Sequence, residues 1–325
     1  MIKFFRQSYA IQYVVIALLA VALWIPAFLS GHVVEGLDEP VTPIYNLMDR
    51  LLAFSPFAKL AFAFVLLALE ALFFNTVLVR NQIVGKVSTM GAFVFVLMMS
   101  FTQTQTNFYP FALSLFFILL SINVVYEVYL SQKPELDLLK AGIYVALASM
   151  CYFPSILLII WVMAALPIVK KGSLRLELIP VTGFLFVYFF YFVGVYLFGD
   201  FLATIKSYQA YFSGFQLSLE GFNLLNVILL AFFLGMAVLL LFGNASFEKA
   251  IAVRSKMTMV VLLLLVALIT LFIGGNVMFN GMIFIVLAVV FSYEFTCLNN
   301  TGWTDLIMAV VLLLVFANHY CFKLL

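Results

Sequence analysis

Eight stretches of this chain, at about 11–30, 57–79, 108–131, 176–198, 223–242, 257–274, 277–297 and 303–322, run almost without charge. Crossing ~30 Å of hydrocarbon takes roughly 20 helical residues, so each stretch approaches the length of a membrane span. Inside hydrocarbon every backbone N–H and C=O needs a partner, and continuous apolar runs satisfy that need as helices. The rest of the composition agrees. Hydrophobic residues make up 66% of the 325 and charged residues 9%, against roughly 25% charged in soluble domains. So few charges cannot cover a water-facing surface of this size. The expected fold is therefore an all-α, polytopic transmembrane helical bundle forming one integral membrane domain over residues 1–325. A formal net charge of +2 argues against nucleic acid as a partner; membrane lipid is the expected one.

Two further apolar stretches complete the count. The run 88–102 suits a thin or tilted span. The run 140–169 is too long for one span and carries Pro154 in Cys151-Tyr152-Phe153-Pro154-Ser155. Proline disfavours helix at the preceding residue and starts a new helix well. Two short helices, about 140–152 and 154–169, are expected to form a hairpin, giving about 11 membrane segments.

The basic residues test that count, because cytoplasmic loops are enriched in Lys and Arg. With the N-terminus inside, Lys3, Arg6, Arg80, Lys86, Lys133, Lys140, Lys170, Lys171, Arg175, Lys249, Arg254 and Lys256 fall inside. Those are twelve of the sixteen, leaving Arg50, Lys59, Lys206 and Lys323 outside. A single span at 140–169 would move Lys249, Arg254 and Lys256 outside. The reading is a multi-pass protein of the cytoplasmic (inner) membrane with a cytoplasmic N-terminus. Its first apolar run exceeds the roughly 7–15 residues of a signal-peptide core and is read as an uncleaved span.

Few residues offer chemistry. Glu70 sits near the middle of the second span, where an ionised carboxylate costs at least a few kcal/mol unless paired or protonated. It is a candidate ion, proton or substrate contact, or an acid bonded to a neighbouring helix. Asn75 lies five residues on, off Glu70's face, and Asn123 in the fourth span can bond across helices. Asp38 and Glu39, in the first outer loop, could act as a general base on an acceptor hydroxyl or form a solvated acidic loop. The polar turn Gln103-Thr104-Gln105-Thr106-Asn107 could hold sugar hydroxyls or a phosphate, or be a wet loop. Lys206 lies in the second outer segment, 199–222, whose aromatic spacing suits an interfacial helix. Glu127 and Glu294, flanked by tyrosines, read as interfacial acids near inner span ends. The isolated cysteines Cys151, Cys297 and Cys321 and the two histidines, His32 and His319, lack metal-ligand spacing. No metal or cofactor is expected, and nucleotide-binding and nucleophile-elbow patterns are absent.

The opening Met1-Ile2-Lys3-Phe4-Phe5-Arg6, the Trp24-Ile25-Pro26-Ala27-Phe28 ending of the first span and Cys151-Tyr152-Phe153-Pro154-Ser155-Ile156-Leu157 resemble an uncharacterised bacterial family of multi-spanning membrane proteins. The layout is also distantly similar to GT-C-type glycosyltransferases, with an acidic first outer loop and a later hairpin of short helices. It departs from them in its short outer loops and in lacking their soluble domain. That resemblance implies a polyprenyl-phosphate-linked substrate, Asp38 or Glu39 as base, and Gln103, Gln105, Asn107 and Lys206 on the phosphate. The alternatives are a non-catalytic relative, a transporter or flippase built on Glu70, and a scaffold subunit with a membrane-protein partner.

Overall fold

The computed structural model describes residues 2–31, 41–84, 87–102, 105–128, 131, 133–168, 173–213, 224–244, 251–273, 281–297 and 301–320. These are helical, with no strand among them. The order is α1 (Ile2–Phe5), α2 (Ala10–Ser30), α3 (Pro43–Leu51), α4 (Pro56–Arg80), α5 (Met90–Met99), α6 (Pro110–Glu127) and α7 (Pro134–Cys151). A 3₁₀ turn (Phe153–Leu157) leads to α8 (Leu158–Ile168), α9 (Leu174–Phe198), α10 (Phe201–Ser213), α11 (Leu224–Asn244), α12 (Ile251–Ile273), α13 (Met282–Cys297) and α14 (Thr301–Tyr320).

Every apolar stretch read from the sequence carries a helix. Five are long and apolar enough to cross a membrane: α2, α4, α6, α9 and Val253–Leu271 within α12. Helix α5, with ten residues, extends only about 15 Å.

Local signals set the boundaries. Pro43, Pro56, Pro110 and Pro134 stand in the first turns of α3, α4, α6 and α7, where a missing N–H costs nothing. Ser173 caps α9 by accepting a bond from the Leu176 amide. Asp200 does the same for α10 through the Ala203 amide at 3.0 Å. Gly31, at φ 60°, closes α2 in the left-handed conformation and returns its N–H to Ala27.

The break near Pro154 falls where expected. Helix α7 stops at Cys151, Tyr152 is extended, and Phe153-Pro154 opens the 3₁₀ turn. Leu138, near the start of α7, and Leu166, near the end of α8, share one buried cluster with Val128. The two arms therefore run antiparallel. The first arm begins at Pro134 rather than near 140, because proline in the first turn and Glu135 and Asp137 beside it favour a helix start.

Two helices occupy the centre. All of α5 and residues 281–295, covering most of α13, are buried, and the two pack on each other. A helix that is apolar all round belongs inside a bundle. Phe5 stacks on Phe93 of α5, and Phe284 of α13 tilts against Phe101. Around this pair, α7 packs most tightly on α6 and α9. At the α7–α9 crossing, a β-carbon on Gly142 would overlap the Pro180 carbonyl, and one on Gly183 would lie 2.5 Å from the Leu139 carbonyl oxygen. Small residues let helix backbones approach closely where apolar burial cannot drive association. The opposite side of α9 displays Leu178, Leu185, Phe186, Phe189 and Phe190, as a lipid-facing surface would.

The two ends of the bundle differ. At one end, Arg6 donates from Nε and Nη2 to the Phe295 carbonyl at 3.0 and 2.9 Å. The Ile2 amide meets Asp305 at 2.6 Å, and Lys256 donates to the Asn81 carbonyl. Arg80 pairs with Glu127 at 3.2 Å, and Arg175 with Glu135 at 3.7 Å. This is the basic end. The opposite end gathers α3, the start of α6, the 3₁₀ turn and α10 through aromatic contacts. Tyr45 stacks on Phe108, Phe111 meets Tyr152 edge-on, and Phe153 meets Tyr208 and Tyr211. This is the aromatic end.

Candidate functional site

The aromatic end holds three of the residues singled out from sequence, Gln105, Asn107 and Lys206. Asp38, Glu39 and Gln103 lie outside the described residues. Before the first two, α2 ends at Ser30; after them, Val41 and Thr42, both buried, lead into α3. Helix α3 itself interrupts what reads in sequence as a plain loop. Its Asp49 carboxylate receives Lys59 of α4 at 2.5 Å.

The described part of the polar turn is enclosed. Thr102, Gln105, Thr106 and Asn107 are all buried. The Gln105 side-chain oxygen accepts the Phe101 and Thr102 amides at 3.1 and 3.2 Å, so it closes the turn from within. Helix α5 ends just before, and the carbonyls of Ser100 and Phe101 lie just past its end. Helix α14 supplies partners for both. Asn318 donates to the Phe101 carbonyl at 2.8 Å, and His319 Nε2 lies 2.6 Å from the Ser100 carbonyl oxygen. The Trp24 indole adds a bond to the Ser100 hydroxyl at 3.2 Å. His319, which in sequence is one of two isolated histidines, is thus a helix-end partner. Bonds between residues more than 200 positions apart leave no local signal.

Lys206 is exposed on α10. The inner side of α10 rests on α9 and on the hairpin apex. Tyr208 packs against Phe192 and Phe153, and Phe201 against Phe192 and Tyr196. Beneath it, the Ser149 and Tyr188 hydroxyls lie 2.9 Å apart. Burial first, and Tyr188 and Tyr191 second, push the Tyr208 phenol above the usual range. The expected interfacial segment is therefore a helix held by rings at the apex of the hairpin, with its cation turned outward.

Glu70 lies apart from this end, in the interior of α4. Its side chain is 2% exposed, and its Oε1 has no hydrogen-bond partner among the described residues. Asn75 is occupied elsewhere, accepting the Ala92 amide at 3.3 Å. Asn123 bonds Asn81 and Glu127 at 3.2 and 3.0 Å, and so does not reach Glu70 or Asn75. Glu127 keeps its interfacial place beside Arg80. Glu294 does not: at 1% exposure it is enclosed, because α13 is wrapped by protein through Phe295. Among the described residues, no three His, Cys, Asp or Glu side chains gather to hold a metal.

By length and composition, five of the helices are fit to cross a membrane. No protein-family model, curated protein or solved structure matches it.

Proposed function

We propose that the protein is a multi-pass protein of the cytoplasmic membrane, with its basic end cytoplasmic and about eleven membrane segments, that handles a lipid-linked sugar or similar envelope precursor at its aromatic end. The observation that carries this reading is the convergence at one end of four sequence-separated parts: α3 after the acidic loop, the 102–107 turn, the hairpin apex and α10. That convergence supports a layout like that of GT-C-type glycosyltransferases and of the multi-spanning bacterial family resembled in sequence. Arg6, Arg80, Arg175 and Lys256 gather at the opposite end, which supports the orientation through the positive-inside rule.

In this reading, Asp38 or Glu39 removes the proton of an acceptor hydroxyl. The exposed Lys206 meets the polyprenyl-phosphate leaving group, with Gln103, outside the described residues, as the remaining candidate of the polar turn, since Gln105 and Asn107 are buried. Replacing both acids, as D38N with E39Q, is expected to reproduce the change in envelope glycan that deletion of the protein produces, at unchanged protein level. Unaltered glycan in the double variant removes the enzymatic role.

A second reading, a non-catalytic scaffold with a membrane-protein partner, is favoured by one observation: Gln105 spends its side-chain oxygen closing its own turn. It predicts that the double variant is silent while deletion of the chain lowers the level of another membrane protein, recoverable by co-purification in mild detergent.

A further inference from the structure

We propose that Glu70 is a proton-binding site enclosed between α4 and α6 and loaded from the aromatic end. It is independent of the lipid-linked substrate and holds whether or not the protein is catalytic.

The case begins with what surrounds the carboxyl. Glu70 is buried, and its Oε1 meets no donor among the described residues. The Phe116 backbone on α6 lies against the carboxyl group. The cations on its own helix stand at the two ends and are engaged there: Lys59 with Asp49, and Arg80 with Glu127. The helices packed most extensively against α4 are α2, α5 and α6, and α3 meets it at the Asp49–Lys59 pair. Helix α2 offers Tyr13, α5 has no titratable side chain, and α6 offers Tyr109, Tyr126 and Glu127. None of these brings a positive charge to Glu70. A buried carboxylate without a cation or a full set of donors is costly by several kcal/mol. A proton removes that charge in the least space and gives the group a donor of its own.

The direction of loading follows from Tyr109. This residue is buried at the start of α6 and lies within electrostatic reach of Glu70. It comes directly after the buried polar turn, where Thr102, Gln105, Thr106 and Asn107 place hydroxyls and amides in an otherwise apolar interior. Hydroxyls relay protons along hydrogen bonds, and Thr102, Thr106 and Tyr109 supply buried ones at this end, whereas the α4–α5 contact brings Phe74, Phe95 and Leu78 and the Asn75 amide, whose oxygen is taken by the Ala92 N–H.

The test is infrared spectroscopy of the full chain in lipid nanodiscs at pH 7. The carbonyl stretch of a protonated carboxyl is expected in the wild type and absent in E70Q. Y109F is expected to keep the band and slow its shift in deuterated buffer several-fold. If E70Q does not fold, the wild type is treated with dicyclohexylcarbodiimide, which modifies protonated carboxyls in apolar surroundings, and the adduct is mapped by peptide mass spectrometry. Modification of Glu70, equal in sodium and potassium buffers, supports the site. A wild type with no protonated-carboxyl band, a band that survives in E70Q, or one that appears only when sodium and potassium are withdrawn overturns it. An unchanged deuterium shift in Y109F overturns the route.

Discussion

Gly142 of α7 and Pro180 of α9 face each other so closely that no β-carbon fits between them, and Gly183 returns the relationship against Leu139. The crossing joins the first arm of the hairpin to the helix that carries α10 at its far end. Overfilling such a contact typically costs about 1–3 kcal/mol. G142A is expected to lower the thermal stability of the purified protein, and G142V to lower it further. G194A, where nothing lies within 4 Å of an added β-carbon, is the control and should leave it unchanged. Equal melting of G142A and wild type in detergent would show that α7 and α9 can separate at no cost.

Asn318 is expected to matter for α5 rather than for its own helix. Removing its amide in N318A leaves the Phe101 carbonyl without that donor, and an abandoned buried acceptor costs about 1–3 kcal/mol. The loss should appear as lower resistance to denaturant and as faster proteolysis. A neutral result would place the stability of α5 in its apolar contacts alone.

The basic end offers a contrast in magnitudes. The Arg80 side chain is 66% exposed in its pair with Glu127, and exposed pairs contribute about 0–1 kcal/mol. Lys256 is buried and donates to the Asn81 carbonyl, and bonds from charged donors contribute about 1.5–3 kcal/mol. K256M, which keeps the stem and removes the donor, is expected to destabilise more than R80Q. The reverse order in thermal unfolding would refute the ranking.

Orientation can be read directly. In a chain whose three native cysteines are replaced, K206C is expected to react with a membrane-impermeant maleimide added to intact cells, and R254C to react only after the membrane is opened. The opposite pattern would invert the bundle and remove the outer-face reading with it.

Helix positions were legible because apolar length and prolines act locally. Pro154 marked the hairpin apex, and the apolar runs read as starting near 57 and 108 carry α4 and α6. Helix α3 was not, because its amphipathic nine residues sit in a stretch dominated by loop-forming residues. The number of crossings was less legible than the number of helices, since α5 is apolar throughout yet only ten residues long. At the candidate site, residue type was misleading where burial decided the role. Gln105 and His319 are polar residues that satisfy backbone groups, as their distant partners required. Lys206 was foreseen as a cation beside aromatics, because amphipathic spacing along one helix is visible in sequence. Glu294 was read as a solvated acid from its tyrosine neighbours, but enclosure by other helices cannot be seen from one segment.

The enclosure of α5 by α13 has a consequence for how the protein is made. A ten-residue helix is too short to hold itself across a bilayer, and the element that covers it emerges from the ribosome only after most of the chain. Until then α5 must wait with its flank open, sheltered by the insertion machinery or by the N-terminal helices alone. Assembly is therefore completed from the C-terminal third inward. A nascent chain halted before α13 would be an unfinished wall, exposed to quality-control proteases however well its first helices had inserted.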